Sequence, residues 1–285
     1  MSFGASPCRA VLPGRRRHFQ HGPIDLVLEA FGAPEEVTAA YEQAWERFRT
    51  ILEELVAELP ALRRAVGDGP NRLAGVVARR MHGVCRPHRA TYVTPMSAVA
   101  GAVADAVLAS MVDGRRLDRA YVNNGGDIAL HLGPGESFTT GVVTLAEAPA
   151  FDGLSRISAE SPVRGIATSG WRGRSFSLGI ADSVTVLAGS AAAADVAATL
   201  IANSVNVADP TIQRVPAREL SPDSDLEDRL VTVEVGPLPA EKVEQALAAG
   251  AVEAQDMAAR CLILQALITL QGRSRVVGAS ESLAA

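Results

Sequence analysis

The chain has 285 residues, 48% hydrophobic and 21% charged, an ordinary globular composition with enough length to bury a large core. Its formal net charge of −5 provides no broad positive field for nucleic acid or an anionic membrane, and 4% aromatic residues leave few stacking platforms for single strands. Cys8, Cys85 and Cys261 are far apart and form no CxxC pair, which fits a reducing cytoplasm, with Cys261 as a packed core thiol.

The first residues, MSFGASPCRAVLPGRRR, lack the continuous apolar stretch and cleavage site of a secretory signal. The Arg15-Arg16-Arg17 run reads as a solvated arm. No apolar run approaches the roughly 18 residues that span a bilayer. Residues 18–33 read as a strand or hairpin around Ile24, Leu26 and Leu28. Pro34 opens a long helix whose apolar face runs from Val37 through Tyr41, Phe48 and Leu52 to Leu59, and Pro60 ends it. A second helix is expected from Asn71 to Met81 and a third from Met96 to Met111. One side of the third is almost all small: Ser97, Ala98, Ala100, Gly101 and Ala104.

Tyr121 to Leu132 reads as strand, turn, strand, and Ser137 to Leu145 as a further strand. The loop from Ala146 to Pro162 is the expected boundary between possible halves at 18–145 and 163–278. Strand signals follow at 164–169 and 176–187, then an alanine-rich helix from Ala191 to Asn206. Residues 209–228, rich in Pro, Asp and Ser, read as a connecting loop. Leu230 to Val235 is a strand, Glu241 to Leu270 gives two helices broken at Gly250, and Arg273 to Val277 is a last strand. This order favours α+β over alternating βαβ units, and no short repeat is evident.

Asn123-Asn124-Gly125-Gly126-Asp127 is the most informative segment. Asn-Gly between strands signals a tight hairpin turn. Consecutive glycines also expose main-chain N–H groups that can cradle a phosphate, with Asp127 placed to orient a sugar hydroxyl or metal-bound water. Asp195 and Thr199, four apart on one helical face flanked by alanine, are hard oxygen donors suited to Mg²⁺, or else a local hydrogen-bonded pair. Thr168-Ser169-Gly170-Trp171-Arg172-Gly173-Arg174 is either an arginine clasp for phosphate or carboxylate, or a solvated hairpin loop. No GxSxG accompanies Ser169. His82, Cys85 and His88 have zinc-like spacing, but Pro87 interrupts it and no fourth ligand is evident, so a polar loop is the default. His18, His21 and His131 have no evident partners.

Three of these segments together resemble the ApbE superfamily, the FAD:protein FMN transferases. Asn124-Gly125-Gly126-Asp127-Ile128 resembles its NxGGDI-type signature, Ala194-Asp195-Val196-Ala197-Ala198-Thr199 its A-D-x-x-A-T helix, and Ala167-Thr168-Ser169-Gly170 its T-S-G strand end. Gly101 and Asp105 match the glycine and aspartate of its K-G-x-x-x-D helix. HGPIDL, TPMSAVAGAVAD, NNGGDIAL, GIATSGWRGRSFSLG and LVTVEVG are closest to an uncharacterised ApbE-like bacterial and archaeal branch.

The resemblance implies an α+β fold of two T-fold-like halves, antiparallel sheets packed with helices, with the ligand between them. It implies FAD or a related nucleotide as ligand and Mg²⁺ on its pyrophosphate, with Asp195 and Thr199 as the metal pair and the backbone near Val99 and Ala100 supplying a carbonyl. Asn124, Gly125, Gly126, Asp127, Thr168, Ser169, Gly170 and Gly101 become ligand-binding candidates, and Asp127 and Asp105 catalytic ones. The chain departs from the transferases at two points: Ala100 stands where they carry lysine, and their H-I-x-D-P-x-T-G segment is absent. The leading reading is an ApbE-like enzyme or binding protein acting on a flavin- or nucleotide-like ligand with Mg²⁺, with FMN transfer or pyrophosphate cleavage as its candidate reactions. A non-flavin enzyme of sulfur or small-metabolite metabolism and a non-catalytic ligand-binding module stay open. The expected partner is a small molecule, with neither nucleic acid nor membrane, and the alanine-rich and apolar helices leave room for a homodimer.

Overall fold

Ile24, Leu26, Leu28 and Ala30 are buried and alternate with half-exposed Asp25, Val27, Glu29 and Phe31, the pattern of a strand with one face on a core. A computed structural model of the protein describes residues 6–143 and 151–278. The chain divides into two compact units that interleave in sequence. Among the described residues, 6–138, 157–166 and 190–193 form the first, and 139–143, 151–156, 167–189 and 194–278 the second.

The first unit opens with β1 (Cys8–Val11), β2 (Arg17–His21) and β3 (Ile24–Gly32), followed by α1 (Pro34–Leu62) and α2 (Val76–Cys85). A 3₁₀ turn at Pro95–Ala98 leads into α3 (Val99–Val112), then β4 (Leu117–Asn124) and β5 (Asp127–Leu132). After β6 (Ser137–Val143) and β7 (Phe151–Ser158), which pair with each other, comes β8 (Gly165–Ser169). The sheet order is β1-β2-β3-β4-β5-β8, antiparallel throughout, with Gly165 and Ile166 of β8 beside Ala129 and Ile128.

Helices α1 and α3 cover one face of this sheet, α2 packs against both, and Phe19, Leu26, Leu28, Phe48, Ile51, Met81 and Met111 fill the core. Phe19 meets Trp45 edge-on at 5.2 Å and Phe48 at 5.4 Å, a contact type that adds to plain burial. In α1, Pro34 occupies the first turn, where its missing N–H costs nothing, and Glu35 and Glu36 complement the positive helix end. Pro60 does not end the helix. It sits inside the last turn, and α1 stops two residues later at Leu62. Helix α2 starts at Val76 rather than Asn71, because Glu58 holds the Ala74 and Gly75 N–H groups and fixes the start there.

The 18-residue stretch Pro95–Val112 is long and apolar enough to cross a membrane, contrary to the sequence expectation. It is 61% buried, and Asp105 lies within it, which is how a core helix looks.

The second unit contains most of β6 and β7, the end of β8, β9 (Ser183–Ala188), most of α4 (Ala191–Ser204), β10 (Ile212–Pro216), a short α5 (Ala217–Leu220), β11 (Leu230–Val235), α6 (Ala240–Ala259), β12 (Gln265–Leu270) and β13 (Arg273–Gly278). Strands run in the order β8-β9-β12-β13, and β10 and β11 form a separate antiparallel pair.

Several sequence expectations are corrected in this unit. The strand expected over 176–187 begins only at Ser183. Upstream, the main chain bonds elsewhere: Leu178 N–H donates to Asn203 Oδ1, Ile180 N–H to the Val205 carbonyl and Asp182 N–H to that of Thr269. Residues 209–228 hold β10 and α5, the short apolar pair Ile212 and Val215 being too weak a signal in sequence. Helix α6 runs through Gly250, where an added Cβ would lie 2.4 Å from Val205 Cγ2, so this glycine serves close packing and not a break. Of the expected second helix, the part up to Ala259 continues α6, and Gln265–Leu270 is instead β12, which holds the β-branched Ile268 and Thr269. Cys261 is exposed, with φ 57 just beyond the end of α6, and is not a core thiol. Of the expected boundary loop, residues 146–150 lie outside the described residues and Phe151–Ser158 is strand β7.

Asp209 of this unit accepts from Lys242 Nζ at 2.7 Å and from both the hydroxyl and N–H of Thr211, which hold its carboxyl down at about 2. The stabilisation it contributes is complete above the ordinary aspartate range and fades as pH falls through about 2. Lys242→Met is expected to move the Asp209 titration upward in a carboxyl-carbon NMR series. An unmoved titration would show that Lys242 is not its main partner.

Candidate functional site

The Asn124-Gly125-Gly126-Asp127 segment forms the two-residue turn between β4 and β5, with Asn124 paired to Asp127. Gly125 has φ 64 and Gly126 φ 116, a conformation that the primed hairpin turn demands and side chains resist. The Gly126 N–H is spent on Asn123 Oδ1 at 2.8 Å, so only part of the expected main-chain cradle remains. The buried Asn124 donates its amide to the Ala100 carbonyl at 3.0 Å, tying the turn to the start of α3. Gly125 is exposed, a Cβ on Gly126 would meet no atom within 4 Å, and Asp127 is half-buried beside it.

Below the turn, the same unit holds a latch. An added Cβ at Gly101 would lie 2.3 Å from the Ala191 carbonyl oxygen, and one at Gly165 would lie 2.0 Å from the Ser190 carbonyl carbon. Residues 190–192 are therefore pinched between α3 and β8. Asp105, 7% exposed, fastens them: its two oxygens accept the Ala191 and Ala192 N–H groups, both at 3.1 Å, and Arg80 pairs with it at 3.2 Å. A carboxylate on the first N–H groups of a helix both caps it and complements its dipole. Burial pushes the Asp105 carboxyl up, outweighing the N–H groups and Arg80 that pull it down. Thus Gly101 and Asp105, singled out as ligand and catalytic candidates, both act on the main chain that opens α4.

His21, in the HGPIDL segment, is 4% exposed near Phe48, and its Nδ1 has no hydrogen-bond partner. Such a group costs roughly 1–3 kcal/mol. His21→Leu, close in volume, is expected to raise stability by about 1 kcal/mol in urea unfolding, whereas a loss would reveal a partner for the ring. His18, by contrast, pairs with Asp25 at 3.0 Å.

In the second unit the Thr168–Arg174 segment is anchored by a residue the sequence did not single out. Asp182, whose side chain is 4% exposed, accepts from Trp171 Nε1 at 3.2 Å and Arg172 Nε at 2.8 Å through one oxygen. Its other oxygen accepts the Gln271 N–H at 2.5 Å. Gly170, φ 153, lets the chain pass: a Cβ there would lie 2.5 Å from the Asp182 carbonyl oxygen. Arg172 also stacks on Trp171 at 4.6 Å. This arginine is thus committed to a carboxylate and an indole, unlike the expected clasp. Thr168 bonds Thr185 through their hydroxyls at 2.9 Å, and Ser169 is half-buried at the strand end.

Asp195 and Thr199 project from α4 one turn apart, each half-buried, between the fully buried Ala194 and Ala198. They belong to the second unit, the glycine turn to the first. Cys85, of the zinc-like spacing, is buried with its Sγ 3.5 Å from the Thr94 carbonyl, and burial together with Arg86 pushes His82 below the usual imidazole range. Among the described residues no three His, Cys, Asp or Glu side chains group as a metal site.

The family described as AbpE bacteria matches residues 9–276. The chain belongs to the AbpE bacteria family. UPF0280 proteins are its relatives: that of Methanothrix thermoacetophila is 34% identical over 160 residues, 55% of this chain and 65% of that protein. That of Methanothermobacter thermautotrophicus is 35% identical over 198 residues, 66% of each. That of Methanopyrus kandleri is 33% identical over 204 residues, 70% of this chain and 78% of that protein. The chain thus spans about two thirds of the first two. A mutant flavin transferase ApbE from Vibrio cholerae aligns over 97% of this chain and 98% of its own, at 13% identity and a TM-score of 0.42, too distant to bear on chemistry. The AbpE bacteria match takes in the turn, the latch and the Asp182 anchor. Asp182 had one sequence signal, a lone acid in the apolar run Gly179-Ile180-Ala181; Gly165 opens the GIATSGWRGRSFSLG segment without being singled out in it, and Arg80 had no signal.

Proposed function

We propose that this AbpE bacteria member binds a flavin- or nucleotide-like phosphorylated ligand and carries out Mg²⁺-dependent chemistry on it: cleavage of the pyrophosphate by water, giving AMP and FMN from FAD, or FMN transfer to the hydroxyl of a protein threonine with AMP leaving. The observation that carries this reading is the open space over Gly126, beside an exposed Gly125 and a half-buried Asp127. A turn made only to reverse the chain has no need of the second buried polar tie, Asn124 to Ala100, that fixes its position on α3.

Asp195 and Thr199 fit Mg²⁺ by donor chemistry, a carboxylate and a hydroxyl on one face, preceded by Ala194 and Ala198. When bound, the ion would neutralise charge on the phosphates. Gly125 and Gly126 would let a phosphate approach the backbone, and Asp127 would orient a hydroxyl or water. Thr168 and Ser169 would add hydroxyl donors, while Asp105 holds the α4 entry.

The test is incubation of the purified protein with FAD and MgCl₂, following AMP and FMN. Release by the wild type and a fall of about 10²-fold or more in Asp195→Ala are expected, the scale of losing one electrostatic stabiliser. Absence of both FAD binding and product would overturn the flavin reading. Binding without turnover would support a sensor, and a different co-purified molecule a non-flavin enzyme.

A further inference from the structure

Residues 60–92 carry seven arginines and one acidic residue, Asp68, in a chain whose total charge is −5. Folding sorts them. Arg89 pairs with Asp68 at 2.5 Å, Arg80 with Asp105, and Arg79 bonds the Ala74 carbonyl. Arg64 and Arg72 are exposed and have no carboxylate partner among the described residues. Both line a groove of about 550 Å³ between the end of α1, the 67–73 loop, α2 and Pro95, within the range of small-ligand sites.

The groove's lining includes the apolar Ala61, Leu73 and Pro95, together with His82. The one acid lining it, Glu58, is committed to the Ala74 and Gly75 N–H groups, both at 2.7 Å. Burial and Arg86 push His82 below the usual imidazole range, and a neutral imidazole still carries one N–H donor. Two guanidinium groups lining a partly apolar groove, in a basic segment of a chain that is acidic overall, are the chemistry that recognises phosphate on an organic body.

We infer that this groove is a second ligand site, taking a soluble organic phosphate, with Arg64 and Arg72 holding the phosphate and Leu73 and Pro95 meeting its apolar part. It shares no residue with the turn, the latch or α4, and it stands whether or not the protein turns over flavins.

The test is calorimetric titration of the full chain with ADP and with inorganic pyrophosphate, in EDTA so that no divalent ion contributes. One ADP per chain is expected, binding more tightly than pyrophosphate. Arg64→Ala with Arg72→Ala is expected to weaken ADP about tenfold or more, while Asp195→Ala leaves it unchanged. Both arginines are exposed, so circular dichroism should show the double variant folded; Arg64→Lys with Arg72→Lys should retain part of the affinity. ADP binding unchanged in affinity and stoichiometry in the double alanine variant, or no binding of either probe at millimolar concentration, overturns the inference. Sedimentation with phosphatidylserine vesicles that depends on the same arginines, without ADP competition, overturns it in favour of a lipid surface.

Discussion

Gly165→Ala is expected to destabilise the protein by roughly 3 kcal/mol or more, at or beyond the top of the range for overpacking. The added Cβ would fall 2.0 Å from the Ser190 carbonyl carbon and 2.2 Å from the Ala191 nitrogen, and neither is a side chain that can swing aside. Residues 190–192 cannot retreat, because Gly101 presses from α3 and Asp105 holds two of their N–H groups. Gly101→Ala should behave alike, and Gly14→Ala, which meets nothing within 4 Å but has φ 79, should cost only about 1 kcal/mol in backbone strain. Urea unfolding of the three variants decides: comparable losses at Gly14 and Gly165 would show that residues 190–192 move freely.

Asp182→Ala is the second large effect, about 3 kcal/mol, at the low end for breaking a buried pair because Arg172 is one-third exposed and can turn to water. Trp171 Nε1 and the Gln271 N–H lose their acceptor at the same time. Because Trp171 is one of only two tryptophans, its emission reports the change. In a Trp45→Phe background, Asp182→Ala is expected to shift the emission to the red as the indole gains water. Asp182→Asn keeps one acceptor oxygen and should lose about half as much stability. An unchanged spectrum in Asp182→Ala would mean that the loop is held by Gly170 and the Trp171 N–H to Ala181 instead.

Much of the architecture was readable where periodicity was strong. The β2–β3 hairpin, the long α1, the β4–β5 hairpin and the alanine-rich α4 all follow from spacing that a single strand or helix dictates by itself. Failures came where distant chain decides. Residues 176–182 have strand composition but give their main-chain bonds to the end of α4, and Gly250 looks like a helix breaker until Val205 is seen to need its space.

The candidate site divides the same way. The glycine turn was visible because its conformation is local, and Asp195 and Thr199 because they lie one turn apart. The work of Asp105 and Asp182 was not visible, since each meets partners 86 and 89 residues away. The arginine groove was missed for another reason: a net charge taken over the whole chain hides a basic segment of 33 residues, 60–92, within an acidic protein.

The surface thiols bear on how assembly should be measured. Cys8 and Cys261 both face solvent, and Cys261 sits on a left-handed backbone position at the tip where α6 ends. Without reductant, two molecules can be joined through these sulfurs, and a sizing column would register a covalent adduct as a homodimer. Any claim about subunit number therefore belongs to samples kept reduced, or to a Cys8→Ser, Cys261→Ser protein.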